Sequence, residues 1–184
     1  MTLTHLTTME LEAGLDHIRQ APKDDGVLEL IVRRPSVGAR EVLEQAELDA
    51  TQGVKGDTWK LRASSRMTDG SPHPDMQLNV MSVRAVALVA QVRERWPLAG
   101  DQLYVDMDLS EVNLPPWTKL SIGTAVIEVT DQPHTGCAKF VERFGVDAMK
   151  FVNSPAGRAL RLRGLNARVV TPGTIHAGDI VRKL

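Results

Sequence analysis

Short strand-like segments separated by glycine and proline are the feature that most constrains how this chain can fold. The clearest spans residues 102–109, where side chains alternate with the period of two that a strand shows. Because strands and helices do not alternate regularly, a doubly wound sheet is disfavoured. The sequence therefore predicts a mainly β, largely antiparallel, barrel-like single domain with a few helices. Its other predicted strands are residues 27–33, 40–48 (where the pattern also allows a helix), 78–81, 125–130, 165–170 and 180–183.

Helical periodicity is confined to a few segments. Ser82 is predicted as the N-cap of a helix over residues 83–95, which Pro97 would end. A second helix is predicted over residues 137–151, because four of its apolar side chains fall on one stripe: Phe140, Phe144, Ala148 and Phe151. An amphipathic pattern over residues 4–20 predicts a short helix near the N-terminus.

Length and charge limit the class of protein. The 184 residues suit one well-buried domain, which we place at residues 27–184, after an N-terminal helix and linker at 1–26. A net charge of −1 argues against nucleic acid as the partner. The longest apolar runs, such as residues 85–90, are too short to cross a membrane. No secretory signal is recognised and a single cysteine cannot form an internal disulfide, so a cytoplasmic protein is expected.

Cys137 is the strongest candidate for a functional side chain. It lies between a predicted strand end near Thr130 and a predicted helix start, and His134 and Lys139 are close in sequence. A helix start and neighbouring cations favour the thiolate, which attacks electrophiles and binds soft metals. The alternative is a buried cysteine that only fills space, which is common for this residue type.

Two other kinds of site are disfavoured, and one loop stands out. The five histidines and one cysteine lack the paired spacing of a structural zinc site. No G-x-S-x-G motif supports a serine hydrolase. Residues 62–76 form a polar loop of a length that is usually functional or disordered.

Several spaced pieces of the sequence together resemble the MOSC domain, the module found at the C-terminus of molybdenum-cofactor sulfurases and as stand-alone bacterial proteins. The resemblance covers most of the chain, from about Val27 to Leu184. No single piece is specific, and the ordered set carries the resemblance. The pieces are residues 53–57 (GVKGD), 77–79 (QLN), 100–102 (GDQ), 113–115 (NLP), 121–123 (SIG), 136–140 (GCAKF) and 163–170 (RGLNARVV), followed by Gly173 and Gly178–Asp179.

The resemblance implies a barrel-like fold with a pocket that binds molybdenum cofactor (molybdopterin), and it carries an association with pyridoxal phosphate. The family's cysteine, matched here by Cys137, is proposed to carry a persulfide or to ligate molybdenum. Some stand-alone relatives contribute to reduction of N-hydroxylated compounds. The lead-in of residues 134–136 (HTG) and the turn at 116–118 (PWT) depart from the common pattern, so the identity of the ligand stays open.

An anionic pterin with a phosphate needs cations and polar groups around it. Each candidate could also be an ordinary surface or turn side chain. Besides Cys137, the predicted cofactor-binding residues are Lys55, Arg66, Gln77, Asn79, Arg84, His134, Lys139 and Arg168.

Three functions follow as hypotheses. In the first, the protein is a molybdenum-dependent reductase fed by a separate electron-transfer partner, because the chain has no flavin, haem or iron–sulfur motif of its own; in a second version of it, Cys137 carries sulfur to a metal. The second hypothesis is a non-catalytic module that delivers cofactor to a molybdoenzyme partner. The third is a barrel protein that binds another phosphorylated ligand.

Overall fold

A closed β-barrel dominates the fold in the computed structural model, which describes residues 4–184. Positions 1–3 of the predicted N-terminal helix and linker (1–26) lie outside the described residues. The strands, in chain order, are β1 (Gly26–Arg33), β2 (Glu41–Leu43), β3 (Gln45–Asp49), β4 (Gly53–Val54), β5 (Leu78–Ser82), β6 (Leu103–Asp106), β7 (Lys119–Ile122), β8 (Ala125–Val129), β9 (Leu165–Thr171), β10 (Gly173–His176) and β11 (Ile180–Lys183).

Seven strands close the barrel in the order β11-β7-β8-β9-β5-β6-β1, and β1 pairs back to β11 through Gly26 with Val181 and Val27 with Ile180. Among these neighbours only β5 and β6 run parallel. β2 continues the sheet beyond β1, while β10, β3 and β4 form a separate three-stranded sheet. The predicted mainly antiparallel barrel is confirmed.

Six α-helices in residues 4–184 cover part of the barrel. They are α1 (Thr8–Ala13), α2 (Leu15–Arg19), α3 (Val83–Ala90), α4 (Ala138–Phe144), α5 (Val146–Asn153) and α6 (Pro155–Ala159), with 3-10 turns at Thr58–Leu61, Pro74–Met76 and Arg93–Ala99. None of the described helices is long and apolar enough to span a bilayer.

Two hydrophobic cores result from this arrangement. Leu103, Val105 and Met107 point into the barrel, as the alternation of residues 102–109 predicts. Tyr104 lies on the opposite face of β6, where it is buried in a second core against the helices and donates a hydrogen bond to Trp96 O at 2.8 Å. The N-terminal helices belong to this second core through Leu11 of α1 and Ile18 of α2.

Three predicted elements are broken in the structure. Residues 4–20 form two helices separated at Gly14, and residues 40–48 divide between β2 and β3. The helix predicted over 137–151 breaks at Gly145, which has a φ of 90° that residues with a side chain rarely adopt. The four apolar residues of the predicted stripe are nevertheless all buried. The prediction that Pro97 ends the helix over 83–95 is wrong: α3 ends at Ala90, and Pro97 lies within a 3-10 turn.

The N-cap prediction for Ser82 is confirmed, because its side chain accepts a hydrogen bond from the backbone N–H of Ala85 at 3.4 Å. Ser82→Ala leaves that N–H without its partner, so we expect a loss of about 1 kcal/mol in the free energy of unfolding. Urea denaturation measures it. Exposed Ser36→Ala is the control; equal stability of the two variants would contradict the capping role.

Candidate functional site

Cys137 lies beside a cavity of about 480 Å³ at one end of the barrel, which we call the Cys137 cleft. The cysteine is exposed and occupies the N-cap position of α4, so its thiol is not a buried space filler. The cleft is also lined by His134, Asn79, six cationic side chains and the uncharged residues Val37, Gly38, Ala99, Gly100 and Phe140.

The charge of the cleft is entirely positive. No carboxylate lines it among the described residues, and its cations are Arg34, Arg40, Arg62, Lys139, Arg143 and Arg163. Of these, only Arg34 and Arg163 form ion pairs within residues 4–184. The cleft therefore holds uncompensated positive charge, which attracts an anionic ligand.

Two of the uncompensated guanidinium groups converge on Gly100. A Cβ on this glycine would lie 3.7 Å from Nη2 of Arg40 and 3.8 Å from Nη1 of Arg143. Backbone carbonyls hold both groups: Arg40 donates to Pro97 O at 3.2 Å, and Arg143 donates to Leu98 O at 2.6 Å. Burial, followed by the charge of Arg143, lowers the pKa of Arg40. Two neighbouring guanidinium groups without a carboxylate partner are suited to bind an anion.

Arg34 is fixed by the buried carboxylate of Asp57. The two form a bidentate pair at 2.8 and 2.9 Å, and the Arg34 backbone N–H donates to the same carboxylate at 2.9 Å. Burial raises the pKa of Asp57, but the hydrogen bonds and charge of Arg34 outweigh it and the pKa is lowered. The aspartate of the GVKGD piece thus positions a cleft arginine.

A second buried aspartate, Asp101, joins His134 to Arg163. Its Oδ1 lies 3.0 Å from Nε2 of His134, and its Oδ2 accepts from Nη1 of Arg163 at 2.7 Å. Burial raises the pKa of Asp101, but Arg163 and His134 together lower it. Burial, followed by the charge of Arg163, lowers the pKa of His134, although Asp101 acts in the opposite direction. The imidazole is therefore neutral at neutral pH beside an ionised carboxylate.

A network of amides explains why the spaced sequence pieces occur together. Gln102 accepts from the backbone N–H of Asn79 at 2.8 Å, and Asn79 donates to Asn166 at 2.7 Å. Asn166 in turn donates to the carbonyls of Gln132 and Pro133 at 3.0 and 3.3 Å. These contacts connect β5, β9 and the residues just before β6 to the segment that carries Cys137.

Two smaller cavities adjoin the cleft. One of about 330 Å³ lies against residues 130–135 and includes Arg158 and Arg161. The other, of about 320 Å³, lies under the polar loop and includes Trp59 and Arg66. Arg66 donates to Gln132 at 2.6 Å, so the loop of residues 62–76 contacts the cysteine segment.

The structure brings together part of the predicted site. Cys137, Asn79, His134 and Lys139 line the cleft, and Arg66 lines the adjoining cavity under the loop.

Four predicted residues lie outside these cavities. Lys55 pairs with Glu47, Arg84 with Asp106, and Arg168 with Glu128 and Asp75. The buried Gln77 instead donates to Ala50 O and accepts from the backbone N–H of Val169.

Sequence reasoning missed most of the cleft cations, namely Arg34, Arg40, Arg62, Arg143 and Arg163. Only Arg163 had a usable signal, because it begins the matched piece 163–170. The segment around Arg40 and that around Arg143 carry no motif that marks them. Within residues 4–184, no three metal-ligating His, Cys, Asp or Glu side chains cluster.

His134 predicts a pH dependence of stability. Because the pKa of His134 is lowered in the folded state, the unfolded chain binds this proton more tightly. The free energy of unfolding should therefore fall as the pH drops below about 6.5, by at most about 1.4 kcal/mol per pH unit from this residue. Denaturation of wild type and His134→Gln between pH 5 and 8 measures the difference in slope; equal slopes would contradict it.

Comparisons with known proteins agree with the barrel fold. The family model of the MOSC domain matches residues 73–182. YuaD from Bacillus subtilis superposes with a TM-score of 0.60 at 18% identity, covering 85% of this chain and 93% of that one. YiiM from Escherichia coli gives 0.56 at 19%, covering 86% and 69%, and YiiM from Geobacillus stearothermophilus gives 0.56 at 13%, covering 86% and 75%. At these identities the likeness shows a shared fold. No curated protein matches the chain significantly.

Proposed function

Because the chain belongs to the MOSC domain family, we propose that its Cys137 cleft binds molybdenum cofactor and that the protein reduces N-hydroxylated compounds. The observation that carries the proposal is an exposed thiol sharing a cavity of about 480 Å³ with six cationic side chains and, among the described residues, no carboxylate. A volume of this size suits a cofactor-sized ligand.

The cations fit the anionic part of the cofactor. Arg40 and Arg143 present two guanidinium groups with no carboxylate partner among residues 4–184. Guanidinium groups bind phosphate through paired, charge-assisted hydrogen bonds. We assign this pair to the phosphate group, while Arg62 and Lys139 add charge along the cleft.

The thiol fits the metal end. A thiolate is a soft ligand suited to a sulfur-bound metal, and Cys137 is the only cysteine in the chain. When bound, the cofactor supplies the two-electron chemistry that removes oxygen from the substrate. The electrons come from a separate donor protein, since no flavin, haem or iron–sulfur motif is present in the sequence.

The proposal is tested by measuring the molybdenum and pterin content of the purified protein. Protein expressed with ample molybdate is assayed by elemental analysis and pterin fluorescence, with about one molybdenum per chain expected. Arg40→Gln and Arg143→Gln should each weaken retention about 10- to 100-fold, since a hydrogen bond to a charged group is worth about 1.5–3 kcal/mol. Exposed Arg182→Gln, which alters an ion pair with Asp25 outside the cleft, is the matched control.

Binding of pyridoxal phosphate tests the phosphate-binding part of the proposed site separately from the metal-binding part. It carries a phosphate but no sulfur-bound metal, so its binding would depend on Arg40 and Arg143 and not on Cys137. Wild-type protein that holds no molybdenum or pterin, yet binds pyridoxal phosphate tightly, would overturn the molybdenum assignment and favour another phosphorylated ligand.

A further inference from the structure

His134 is the side chain at which the three cavities meet. Its imidazole lines the Cys137 cleft, the cavity under the polar loop and the cavity that contains Arg158 and Arg161. Its side chain is 14% exposed, while the Asp101 carboxylate behind it is fully buried. The ring therefore has one edge held in the protein and another next to open space.

The contacts of the ring define its tautomer. The ionised Asp101 accepts hydrogen bonds, and it faces Nε2 of His134 at 3.0 Å, so Nε2 carries the proton. Nδ1 has no hydrogen-bond partner among residues 4–184. In that part of the chain the only fully buried side-chain nitrogen or oxygen without a partner is Nε of Arg163, so Nδ1 is not fully buried. The residue shared by the three cavities thus carries an accessible acceptor with no partner among the described residues.

Among the side chains that line the Cys137 cleft, His134 is the group suited to exchange protons near neutral pH. Asp101, Arg163 and Arg34 act on it most directly. Arg62, Lys139 and Cys137 line the same cleft. Arginine and lysine keep their protons near neutral pH, and Cys137 is assigned to the metal. On the other two sides, Arg66 and His73 face it from the loop cavity, and Glu111, Asp131, Arg158 and Arg161 from the third.

We infer that Nδ1 of His134 relays a proton from solvent to the oxygen that leaves the substrate, an inference that rests on the proposed reductase function. In that reaction the N–O bond of an N-hydroxylated base breaks, two electrons arrive from the external donor, and two protons are taken up. The products are the amine and water. One proton passes through His134, which solvent in the adjoining cavities reprotonates; the other comes from solvent directly.

The resting state can be tested without cofactor. Long-range ¹H–¹⁵N NMR of labelled protein distinguishes the two imidazole tautomers, and His134→Gln assigns the signals. We expect Nε2 protonated and Nδ1 bare at neutral pH. A ring protonated on Nδ1 alone, or on both nitrogens at neutral pH, would overturn the inference.

The role in turnover is tested on loaded protein with an artificial electron donor. His134→Gln should lower kcat about 10²- to 10⁴-fold and flatten its pH profile, while molybdenum content stays the same. Added imidazole should partly restore the rate of His134→Gly. The control is His176→Gln, since His176 is an exposed histidine 3.8 Å from Asp179 and outside the cavities.

The outcomes distinguish this inference from the function it rests on. Wild-type turnover and pH profile that survive His134→Gln overturn the relay alone. A wild type without molybdenum or turnover overturns the reductase function and the relay together, whatever the NMR shows. Loss of molybdenum in His134→Gln would make the residue a binding group, which also contradicts the relay.

Discussion

Cys137→Ala is expected to lose bound molybdenum and to reduce turnover of an N-hydroxylated base by at least about 100-fold, the size of loss seen when a group essential to a reaction is removed. Cys137 is the only thiol in the chain, and no other soft ligand lines the described cleft. The side chain is exposed, so the free energy of unfolding should change by no more than about 0.5 kcal/mol. Elemental analysis, a reductase assay and urea denaturation measure the three quantities.

Two results would contradict the assignment of Cys137 to the metal. The first is full molybdenum retention and turnover in Cys137→Ala. The second is a persulfide on Cys137, found by mass spectrometry in protein without molybdenum. It would favour the sulfur-carrier function, in which the thiolate takes a sulfane sulfur from a donor persulfide and the donor leaves as a thiolate. Cofactor passed stoichiometrically to an acceptor enzyme, without turnover, would favour delivery.

Asp57→Asn is expected to lower the free energy of unfolding by about 3–5 kcal/mol, the usual cost of breaking a buried ion pair. The carboxylate is fully buried and the Arg34 side chain is 4% exposed, so the variant leaves the arginine charge without compensation. The Asp57 carboxylate accepts hydrogen bonds from the Arg34 backbone N–H and, through both oxygens, from its guanidinium group. Asparagine has a single, uncharged acceptor oxygen and cannot replace all of these bonds. Chemical denaturation at pH 7 measures the loss.

Two controls separate this effect from general sensitivity to charge. Glu47→Gln removes the carboxylate of an exposed pair with Lys55 and should cost less than about 1 kcal/mol. The double variant Arg34→Met with Asp57→Leu should recover much of the lost stability, because it removes both buried charges. An Asp57→Asn loss no larger than that of Glu47→Gln would show that the pair contributes little.

Asp57 also predicts that the free energy of unfolding decreases in acid. Because the pKa of Asp57 is lowered in the folded state, its contribution to stability is complete above the unfolded value near 4 and is lost as the pH falls through the folded value. Stability therefore decreases below about pH 4 for a different reason than the decrease below 6.5 expected from His134.

The candidate site shows where sequence reasoning succeeds and where it stops. Cys137, His134 and Lys139 were found because one short segment carries them all, between a strand and a helix. Arg40 and Arg143 are 103 positions apart by their numbers and meet only because both guanidinium groups reach Gly100. The local pattern after a well-marked N-cap favours Arg84, but its side chain pairs with Asp106.

Local chemistry in the sequence was enough to determine most of the strands, the cap at Ser82, the barrel class and the cysteine at a helix start, but not the short strands β4, β7 and β10. Each depends on side-chain alternation, turn residues or spacing, which act over a few neighbouring positions. Only the tertiary structure decided which cations surround Cys137 and that Asp57 and Asp101 stand behind them. Closing the barrel brings distant loops to one end, and the resulting distances between charges are not encoded in any local pattern.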